Sequence, residues 1–380
     1  MKKKILIVDP ADFLGGAELF MVDVVQAFVS AQALRKICTS FEVHLVTSGN
    51  KDYLERYKGL PVTFHVLKLP RLKPISPITL GKFLVASKKL AKLIDKINPE
   101  LVCTNSVRAH IVASRAVQKT KAKLLWFLHD FTFPGFLLKR LIKIPTKVIA
   151  NSQAVKGSVL ESVGQEFEQK IEVIPNGIDL EKVKVQNTNF KMQNVKVGIV
   201  GRIVPWKGQE YFLRAAPLIL EKVPEARFVI VGEAHAHSKE SMEYEKKLRN
   251  LVKELGIEDK VDFRGYIKSV YDEISSWKVL VHASIEPEPL GRVILEGMAL
   301  GTVVVATDIG GPREILENGV DGYLVEPENS EEIAEKVTRL LLDQKNCSKI
   351  AEKAYEKVKS RYSLEKIAGK IGEVFQRITS

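Results

Sequence analysis

Residues 198–216 read GIVGRIVPWKGQEYFLRAA, and this stretch decides the fold. It begins as an apolar β-strand, passes through a loop that contains Gly201 and Gly208, and continues as a helix. A strand, a glycine-containing loop and a helix in this order are typical of the start of a doubly wound α/β domain. GAELFMVD at 16–23 shares its glycine, glutamate and an aromatic residue with GQEYFLRA at 208–215. This suggests a second, similar domain, although so short a match can also arise by chance.

Short runs rich in β-branched residues alternate with longer helical stretches along all 380 residues. We expect parallel strands at KILIVD, EVHLVT, LVCT, LLWFL and KVIA, and then at VKVGIV, RFVIV, VDFRG, VLVHA and VVVA. The predicted fold class is α/β, with two doubly wound domains. A polar, turn-rich segment at 174–194 predicts a boundary, which gives domains at 1–178 and 179–361. The amphipathic helix expected at 362–380 would complete the first domain.

Composition limits the possible classes of protein. The chain is 45% hydrophobic and 27% charged, as in ordinary soluble domains. It has no run of 18 apolar residues, and the apolar run before Asp9 is too short for a signal peptide. Cys38, Cys103 and Cys347 are odd in number and far apart, and no Cys or His spacing is typical of a metal site. We therefore expect a cytoplasmic protein with no disulfide framework and no metal.

The formal net charge of +12 is concentrated in one part of the chain. Residues 51–150 contain 20 Lys and Arg against 5 Asp and Glu, a formal charge of +15. Two basic amphipathic stretches lie there, at 78–97 and 133–145. No nucleic-acid-binding motif accompanies them and aromatic residues make up 7% of the chain, so we expect no nucleic-acid partner.

The basic stretches have two open interpretations. They could contact an anionic membrane surface, which would make the protein peripheral on the inner face of the plasma membrane. Alternatively, their apolar sides belong to the core and their lysines are simply solvated. In 78–97 the predicted apolar side comprises Phe83, Leu84, Leu90, Ile94 and Ile97, with Lys82, Lys88, Lys89, Lys92 and Lys96 around it.

The stretch EPEPLGRVILEGMALG, residues 286–301, places carboxylates where a ligand could use them. Two prolines keep the backbone around Glu288 extended, and a helix that should begin near Gly291 carries Glu296 in its middle. Two such acceptors could hold two hydroxyl clusters of one long polar ligand. The backbone N–H groups near Gly291 and Arg292 would lie between them and suit an anion. A sugar, a diphosphate and a ribose fit this order, but a surface helix with ordinary glutamates fits the sequence as well.

Arg202 and Lys207 follow the strand that opens the second domain. Residues at the carboxyl end of such a strand line the crevice where doubly wound sheets bind ligands. Two cations there could neutralise a departing diphosphate. A solvated loop would explain them too, but their occurrence in the same domain as 286–301 favours a ligand site.

Three features occur in one order: Arg202 and Lys207 in GR…KG, Glu288 and Glu296 with seven residues between them, and TDIGGPREILENGVDGYLV at 307–325. This pattern resembles the retaining nucleotide-sugar glycosyltransferases of family 4, over nearly the whole chain. The resemblance implies the GT-B fold, with two Rossmann-like domains facing a central cleft. It also implies transfer of a hexose from a nucleoside diphosphate sugar to a glycan or lipid-linked acceptor, with no metal required.

The resemblance assigns roles to individual residues. Glu288 would contact the donor sugar, Glu296 the ribose hydroxyls, and Arg202 and Lys207 the phosphates. Further donor-binding residues would be Leu290, Gly291 and Arg292, through backbone N–H groups, and Arg264, Gly265 and Tyr266, near the base.

The first half of the chain adds two candidate features. Gly15 and Gly16 lie in a loop that opens a helix, and glycines let the backbone approach a ligand closely. The resemblance places this loop near the donor phosphate and the acceptor, although a plain turn explains it equally well. His129 ends an apolar strand, where the resemblance implies a sugar-contacting histidine, although a lone histidine is more often structural. The predicted catalytic residues are therefore Glu288, His129, Arg202 and Lys207.

Two other functions remain open at this stage. A nucleotide-sugar epimerase on the same fold would consume the donor without any acceptor. A non-catalytic membrane-surface GT-B scaffold would bind vesicles without binding nucleotide sugars, but the intact set of Glu288, Glu296, Arg202 and Lys207 argues against it.

Overall fold

The computed structural model describes residues 3–12, 14–29, 41–71, 76–131, 135–184, 195–235 and 238–380. The chain forms two compact units. Unit 1 comprises Met1–Gly177 and Leu364–Ser380, and unit 2 comprises Ile178–Ser363. Residues 185–194, which belong to the predicted boundary segment, lie outside the described residues, as does Cys38.

Unit 1 is a doubly wound α/β domain. Its elements in chain order are β1 (Lys3–Val8), α1 (Gly16–Val29), β2 (Phe41–Thr47), α2 (Lys51–Glu55), β3 (Val62–Val66), α3 (Pro77–Ile97), β4 (Leu101–Thr104), α4 (Val107–Val117), β5 (Lys123–Leu128), α5 (Gly135–Leu141), β6 (Lys147–Ala150), α6 (Gln153–Val163) and β7 (Ile171–Val173). The described strands form one parallel sheet in the order β3-β2-β1-β4-β5-β6-β7. The apolar side chains of α1 pack on one face of this sheet, and those of α3 and α4 pack on the other.

Unit 2 repeats this architecture. Its elements are α7 (Leu180–Lys184), β8 (Lys196–Val200), α8 (Gln209–Leu220), β9 (Arg227–Val231), α9 (Lys239–Glu254), β10 (Val261–Gly265), α10 (Tyr271–Ser275), β11 (Val279–His282), α11 (Arg292–Ala299), β12 (Val303–Thr307), α12 (Pro312–Ile315), β13 (Tyr323–Val325), α13 (Ser330–Leu342) and α14 (Gln344–Lys357). The described strands pair in the order β10-β9-β8-β11-β12-β13, all parallel. Helices α8, α9 and α13 cover one face, and α11 packs on the other.

The predicted α/β fold class and all ten predicted strands are confirmed. Three strands were missed: β3, β7 and β13. All three lie at the edge of a sheet. β7 and β13 have three residues each, and β3 carries exposed as well as half-buried side chains, so none of them has the long apolar run of a buried parallel strand.

The structure places most of the predicted apolar side of the first basic stretch in the core, as one of its two interpretations expected. The expected helix is present as α3, but Phe83, Leu90, Ile94 and Ile97 of its predicted apolar side are buried in the core of unit 1. Leu84 is half-buried. These side chains cover the sheet and stabilise the domain, so they are not available to contact a membrane surface.

The second basic stretch also contributes apolar side chains to the core. Residues 133 and 134 lie outside the described residues, and Leu138, Leu141 and Ile142 are buried. Phe136 is 75% exposed. In the described part of the chain, no helix has the length and apolar character needed to cross a membrane.

The last helix, α15 (Leu364–Thr379), belongs to unit 1. Its buried side chains, among them Ile367, Ile371 and Phe375, join the same core as α1. A Cβ atom added to Gly177 would lie 2.9 Å from the Cα of Leu364 and 3.1 Å from the Cβ of Ile367. The start of α15 therefore packs directly against the backbone at residue 177, and only a glycine there leaves room for this contact.

We predict that Gly177→Ala weakens the packing of α15, because the added methyl group would overlap backbone that cannot rotate away. The expected loss is about 1–3 kcal/mol in the free energy of unfolding of unit 1, measured as a lower melting temperature by calorimetry. Gly369→Ala, at a position of α15 with no neighbouring atom within 4 Å, is the control. It should raise the melting temperature slightly, since alanine favours helix. Equal effects of the two substitutions would contradict the packing argument.

Candidate functional site

The middle of the unit 2 sheet creates a crevice. Strand β8 pairs with β9 on one side and with β11 on the other. After β8 the chain forms β9 and β10 on the first side and then crosses to form β11 on the second. Loops that follow two such strands separate, and the opening between them is where doubly wound domains bind ligands. The predicted residues Arg202 and Lys207 follow β8, and Glu288 follows β11.

The loop after β8 is tied to the segment after β11. Gly208 has φ +66°, and a Cβ atom there would lie 1.9 Å from the carbonyl oxygen of Ala283. The backbone N–H of Ile285 donates to the carbonyl of Trp206 at 2.9 Å. The Nζ atom of Lys207 lies over the Trp206 ring, 4.5 Å from its centre. Because no larger residue fits at 208, the two segments approach closely enough for their side chains to meet.

Three side chains converge on one oxygen of Glu288, whose residue is only 8% exposed. Nζ of Lys207 lies 2.5 Å from Glu288 Oε1, and Nε2 of His282 lies 2.8 Å from the same atom. The hydroxyl of Ser284 also donates to Oε1. We call these four residues the Glu288 site.

The Glu288 site keeps its carboxyl group ionised. Burial by itself would raise the pKa of Glu288, because a charged carboxylate is poorly solvated there. The charges of His282 and Lys207, and their hydrogen bonds, outweigh burial and hold the pKa well below its ordinary value of 4.5. Near neutral pH, Glu288 is therefore a fixed negative hydrogen-bond acceptor.

Two glycines of the predicted 307–325 landmark support the backbone of Glu288. The N–H of Gly311 donates to the carbonyl of Glu288 at 2.8 Å. A Cβ atom at Gly310 would lie 2.7 Å from that carbonyl oxygen, and one at Gly311 would lie 2.4 Å from the Cα of Leu290. The Gly-Gly pair is therefore needed for the close approach of the two segments.

Glu296 lies within α11, as the sequence predicts, and is largely buried. Its Oε1 atom accepts a hydrogen bond from Nε of Arg292 at 2.9 Å, one helical turn away. Gly291 begins the helix with φ +87°, and Leu290 before it is buried. The structure thus places all four of these predicted residues on one continuous segment beside the Glu288 site.

The other predicted donor-binding residues of unit 2 are Arg202 and three residues at β10. The side chain of Arg202 is exposed. Arg264 and Gly265 are the last two residues of the edge strand β10, which lies two strands away from β8, and Tyr266 follows it. The Nε atom of Arg264 lies 3.0 Å from a carboxylate oxygen of Asp262. Tyr266 is 59% exposed, so it offers an open ring surface at the rim of the sheet.

Unit 1 has its own polar group where β1, β4 and β5 end. Asp9 is fully buried, and its Oδ2 atom accepts hydrogen bonds from the hydroxyl of Tyr53 at 2.7 Å and from Nδ2 of Asn105 at 2.8 Å. The Oδ1 atom of Asn105 lies 2.9 Å from Nε2 of His129. With Glu18, these residues form what we call the Asp9 cluster.

The predicted glycine loop borders the Asp9 cluster. The N–H of Gly15 donates to Oε2 of Glu18 at 3.0 Å, a bond that caps the start of α1. Gly16 begins α1, and a Cβ atom there would meet no atom of another described element within 4 Å.

Burial shifts the pKa values of the Asp9 cluster strongly. It raises the pKa of Asp9 to about 6. Burial and the negative charge of Asp9 raise the pKa of Glu18 to about 7. Burial also lowers the pKa of His129 to about 4, so its ring is neutral at pH 7. Opposite shifts of acids and a histidine in one place are typical of functional sites, though buried structural networks show them too.

The sequence did not single out several residues of these groups. In unit 2 they are His282, Ser284, Gly310 and Gly311, and in unit 1 they are Asp9, Glu18 and Asn105. Asp9 and Asn105 come directly after β1 and β4, and His282 ends β11. The position of polar residues at the carboxyl ends of adjacent strands was a signal that could have found these three. Among the described residues, no group of three or more His, Cys, Asp or Glu side chains is placed to hold a metal ion.

Comparison with known proteins adds independent findings. Residues 181–357 match the family model described as Glycosyl transferases group 1, and residues 14–182 match Glycosyltransferase Family 4. An uncharacterized glycosyltransferase of Methanocaldococcus jannaschii is 36% identical over 211 residues, which are 51% of this chain and 50% of that protein. The chain thus spans about half the length of this relative. CapM of Staphylococcus aureus, a capsular polysaccharide biosynthesis glycosyltransferase, is 26% identical over 80% of this chain and 81% of its own length.

A solved structure is similar over the full length. The crystal structure of HepE from Anabaena in complex with UDP and glucose has a TM-score of 0.83 and 25% sequence identity. The similarity covers 99% of this chain and 100% of that one. The order of elements in both units is therefore shared with a protein whose crystals contain a nucleotide and a sugar.

We predict that Lys207→Met destabilises unit 2 by about 3 kcal/mol at pH 7, because it leaves Glu288 buried with one cation fewer. The pKa of Glu288 is lower in the folded than in the unfolded chain. Its ionisation therefore stabilises the fold above pH 4.5, and this contribution is lost as the pH falls through the folded pKa. The loss in the free energy of unfolding of the variant should therefore become smaller as the pH falls over the same range. Native-state hydrogen exchange of the amides in β8 and β11 measures the free energy of unfolding of unit 2.

Lys247→Met is the matched control, since Nζ of Lys247 also lies 2.5 Å from a carboxylate, that of Glu210, but its side chain is 58% exposed. An exposed pair should contribute less than about 1 kcal/mol. Equal losses in the two variants would show that burial does not govern the Lys207 interaction.

Proposed function

Because the chain belongs to glycosyltransferase family 4 and is a glycosyltransferase of the GT-B fold, we propose that it transfers a hexose from a nucleoside diphosphate sugar. The proposed acceptor is a hydroxyl group of a glycan or a lipid-linked sugar. CapM, a relative over most of the chain, is named for capsular polysaccharide biosynthesis, which supports a role in cell-surface polysaccharide or glycolipid synthesis.

The observation that carries this proposal is the ionised, buried carboxylate of Glu288 at the crevice of unit 2. Lys207, His282 and Ser284 all contact Oε1, so Oε2 remains the oxygen with which Glu288 would accept a sugar hydroxyl. Glu296 would accept the ribose hydroxyls from its place within α11. The HepE complex with UDP and glucose makes a uridine nucleotide the first donor to test.

The proposed chemistry needs no metal ion. The bond between the anomeric carbon and the diphosphate breaks, and a bond from that carbon to the acceptor oxygen forms. The acceptor proton passes to the departing diphosphate, and attack on the same face retains the anomeric configuration. Lys207 has three N–H donors and Glu288 takes one of them, so the ammonium group could also stabilise phosphate oxygens, together with Arg202.

Unit 1 would contribute the acceptor side of the reaction. The glycine loop at Gly15 and Gly16 and the ring of His129 border the Asp9 cluster, which is rich in hydrogen-bond acceptors. Such a group suits a ligand with many hydroxyls better than an anionic one, because neighbouring carboxylates repel negative charge.

We further propose that the enzyme is a cytoplasmic protein that associates with an anionic membrane surface through α3. Ile78, Lys82, Val85 and Lys89 are all exposed, and their spacing of four, three and four residues places them on one stripe of the helix. Lys92 and Lys96 continue the stripe. Ile78 is 73% and Val85 is 54% exposed, so apolar and cationic groups lie side by side, as in helices that bind lipid surfaces.

The donor site predicts a specific thermal shift. One of UDP-, GDP- or ADP-glucose, in the presence of EDTA, should raise the melting temperature of the wild-type chain, because a ligand of the folded state stabilises it by mass action. Glu296→Ala should lose this shift, whereas Glu286→Ala, an exposed glutamate two residues before Glu288, should keep it. With an acceptor present, NMR should show the product with the donor's anomeric configuration.

Other outcomes of this experiment separate the alternatives. Consumption of the donor without any acceptor, with release of a sugar isomer, would indicate an epimerase. Vesicle binding with no response to any nucleotide sugar would indicate a non-catalytic scaffold. An inverted product would overturn the retaining mechanism, and a shift that EDTA abolishes would overturn the metal-independent one.

The membrane proposal predicts flotation with vesicles that contain phosphatidylglycerol but not with pure phosphatidylcholine, and release by high salt. The double variant Ile78→Glu and Val85→Glu should bind roughly tenfold more weakly or worse, since it removes apolar contact and adds repulsion. Leu218→Glu with Met242→Glu, two exposed apolar residues of unit 2, is the matched control. Equal flotation of both double variants would exclude α3 as the membrane contact.

A further inference from the structure

The side-chain amide of Asn105 has an orientation that its neighbours determine. Its Nδ2 atom lies 2.8 Å from Oδ2 of Asp9 and 3.0 Å from the backbone carbonyl of Ala17. A backbone carbonyl can only accept a hydrogen bond, so the atom that faces it must be the NH₂ group. The amide oxygen of Asn105 therefore faces the other way, toward His129.

This orientation determines where His129 carries its proton. The Oδ1 atom of Asn105 is only an acceptor, and it lies 2.9 Å from Nε2 of His129. Nε2 must therefore be the protonated nitrogen. Since burial keeps the ring neutral at pH 7, the other nitrogen, Nδ1, has no proton and can only accept.

Nδ1 is the ring nitrogen of His129 that the described residues leave unsatisfied. It is buried, and none of them forms a hydrogen bond with it. The ring is also held by edge contact with Phe20, whose centre lies 5.5 Å away at 70°. An unpaired buried acceptor is costly, and proteins usually keep such an atom only where a ligand or an ordered water completes it.

We propose that Asn105, held by Asp9 and the carbonyl of Ala17, positions His129 as the Nε2–H tautomer, so that Nδ1 accepts a hydrogen bond from a hydroxyl group of the sugar substrate. Asn105 and Asp9 are then positioning residues that act through His129. The assignment of a sugar as the ligand rests on the proposed function, whereas the tautomer does not.

The tautomer implies a direction of recognition. The group that meets Nδ1 must donate, as a hydroxyl or an amide N–H does. A carboxylate or a phosphate oxygen offers no proton there and would face a lone pair. His129 would thus recognise a neutral hydroxyl and would not stabilise negative charge on a leaving group.

The test is ¹⁵N NMR of the histidine rings in the full chain, without ligand, at pH 7. The chain has seven histidines, and the signal that disappears in His129→Leu identifies the ring. We expect a protonated-type shift at Nε2 and an unprotonated-type shift at Nδ1. Asn105→Leu should give a mixture of tautomers, while Ser87→Ala, which removes a buried hydrogen bond elsewhere in unit 1, should leave the signal unchanged.

Kinetics test the role of Nδ1 with the donor that stabilises the wild-type chain. His129→Leu should lower kcat/KM by roughly 5- to 30-fold, as expected for the loss of one hydrogen bond. His129→Asn, which can return an amide oxygen to the place of Nδ1, should recover part of that loss. Asn105→Leu should fall between these variants and the wild type.

The possible outcomes separate this inference from the proposed function. A proton on Nδ1 in the wild-type ring would overturn the positioning role, and so would an Asn105→Leu ring that keeps one pure tautomer. A His129→Leu enzyme within twofold of wild-type kcat/KM would overturn the role of Nδ1 in binding the sugar. A pure Nε2–H ring in a chain that no nucleotide sugar stabilises would support the positioning role and contradict the proposed function.

Discussion

The structure of unit 2 around β8 and β11 depends on keeping one carboxylate charged where little water reaches it. Glu288 is buried, and its charge persists because Lys207, His282 and Ser284 reach the same oxygen. That convergence requires the loop after β8 to touch the segment after β11, which only a glycine at 208 permits. A buried carboxylate without such partners would take up a proton and lose its use as a negative acceptor.

The buried carboxyl groups of unit 1 have different surroundings from Glu288. Among the described residues no lysine or arginine forms an ion pair with Asp9, and Arg108 has only a small effect on its pKa. Burial accordingly raises the pKa of Asp9 and Glu18. The order in this cluster comes from directed hydrogen bonds, which pass from the Ala17 carbonyl through Asn105 to His129. Unit 2 thus holds a fixed charge, and unit 1 holds a fixed hydrogen-bond direction.

Much of the fold was predictable from local patterns. Central parallel strands are apolar on both faces, so runs such as those of β5 and β12 stand out, whereas the exposed edge strand β3 does not. Helix α3 was predicted as amphipathic, but its pattern could not tell a core face from a membrane face. The sheet of unit 1 covers Phe83 and Leu90, and this leaves Ile78 and Val85 exposed, residues that the pattern alone had not distinguished.

The sequence by itself determined the doubly wound class and the order of most elements, because these follow from periodicity. It also identified Glu288, Glu296 and Lys207 as candidate ligand-binding residues, because they lie in short motifs. Only the tertiary structure decided that Lys207 and Glu288 meet 81 residues apart, that His282 joins them, and that Asn105 connects Asp9 to His129 across 96 and 24 residues. The reason is physical: pKa values and tautomers depend on which groups lie within hydrogen-bond distance and how much water is excluded. Neither is a property of a local stretch of chain.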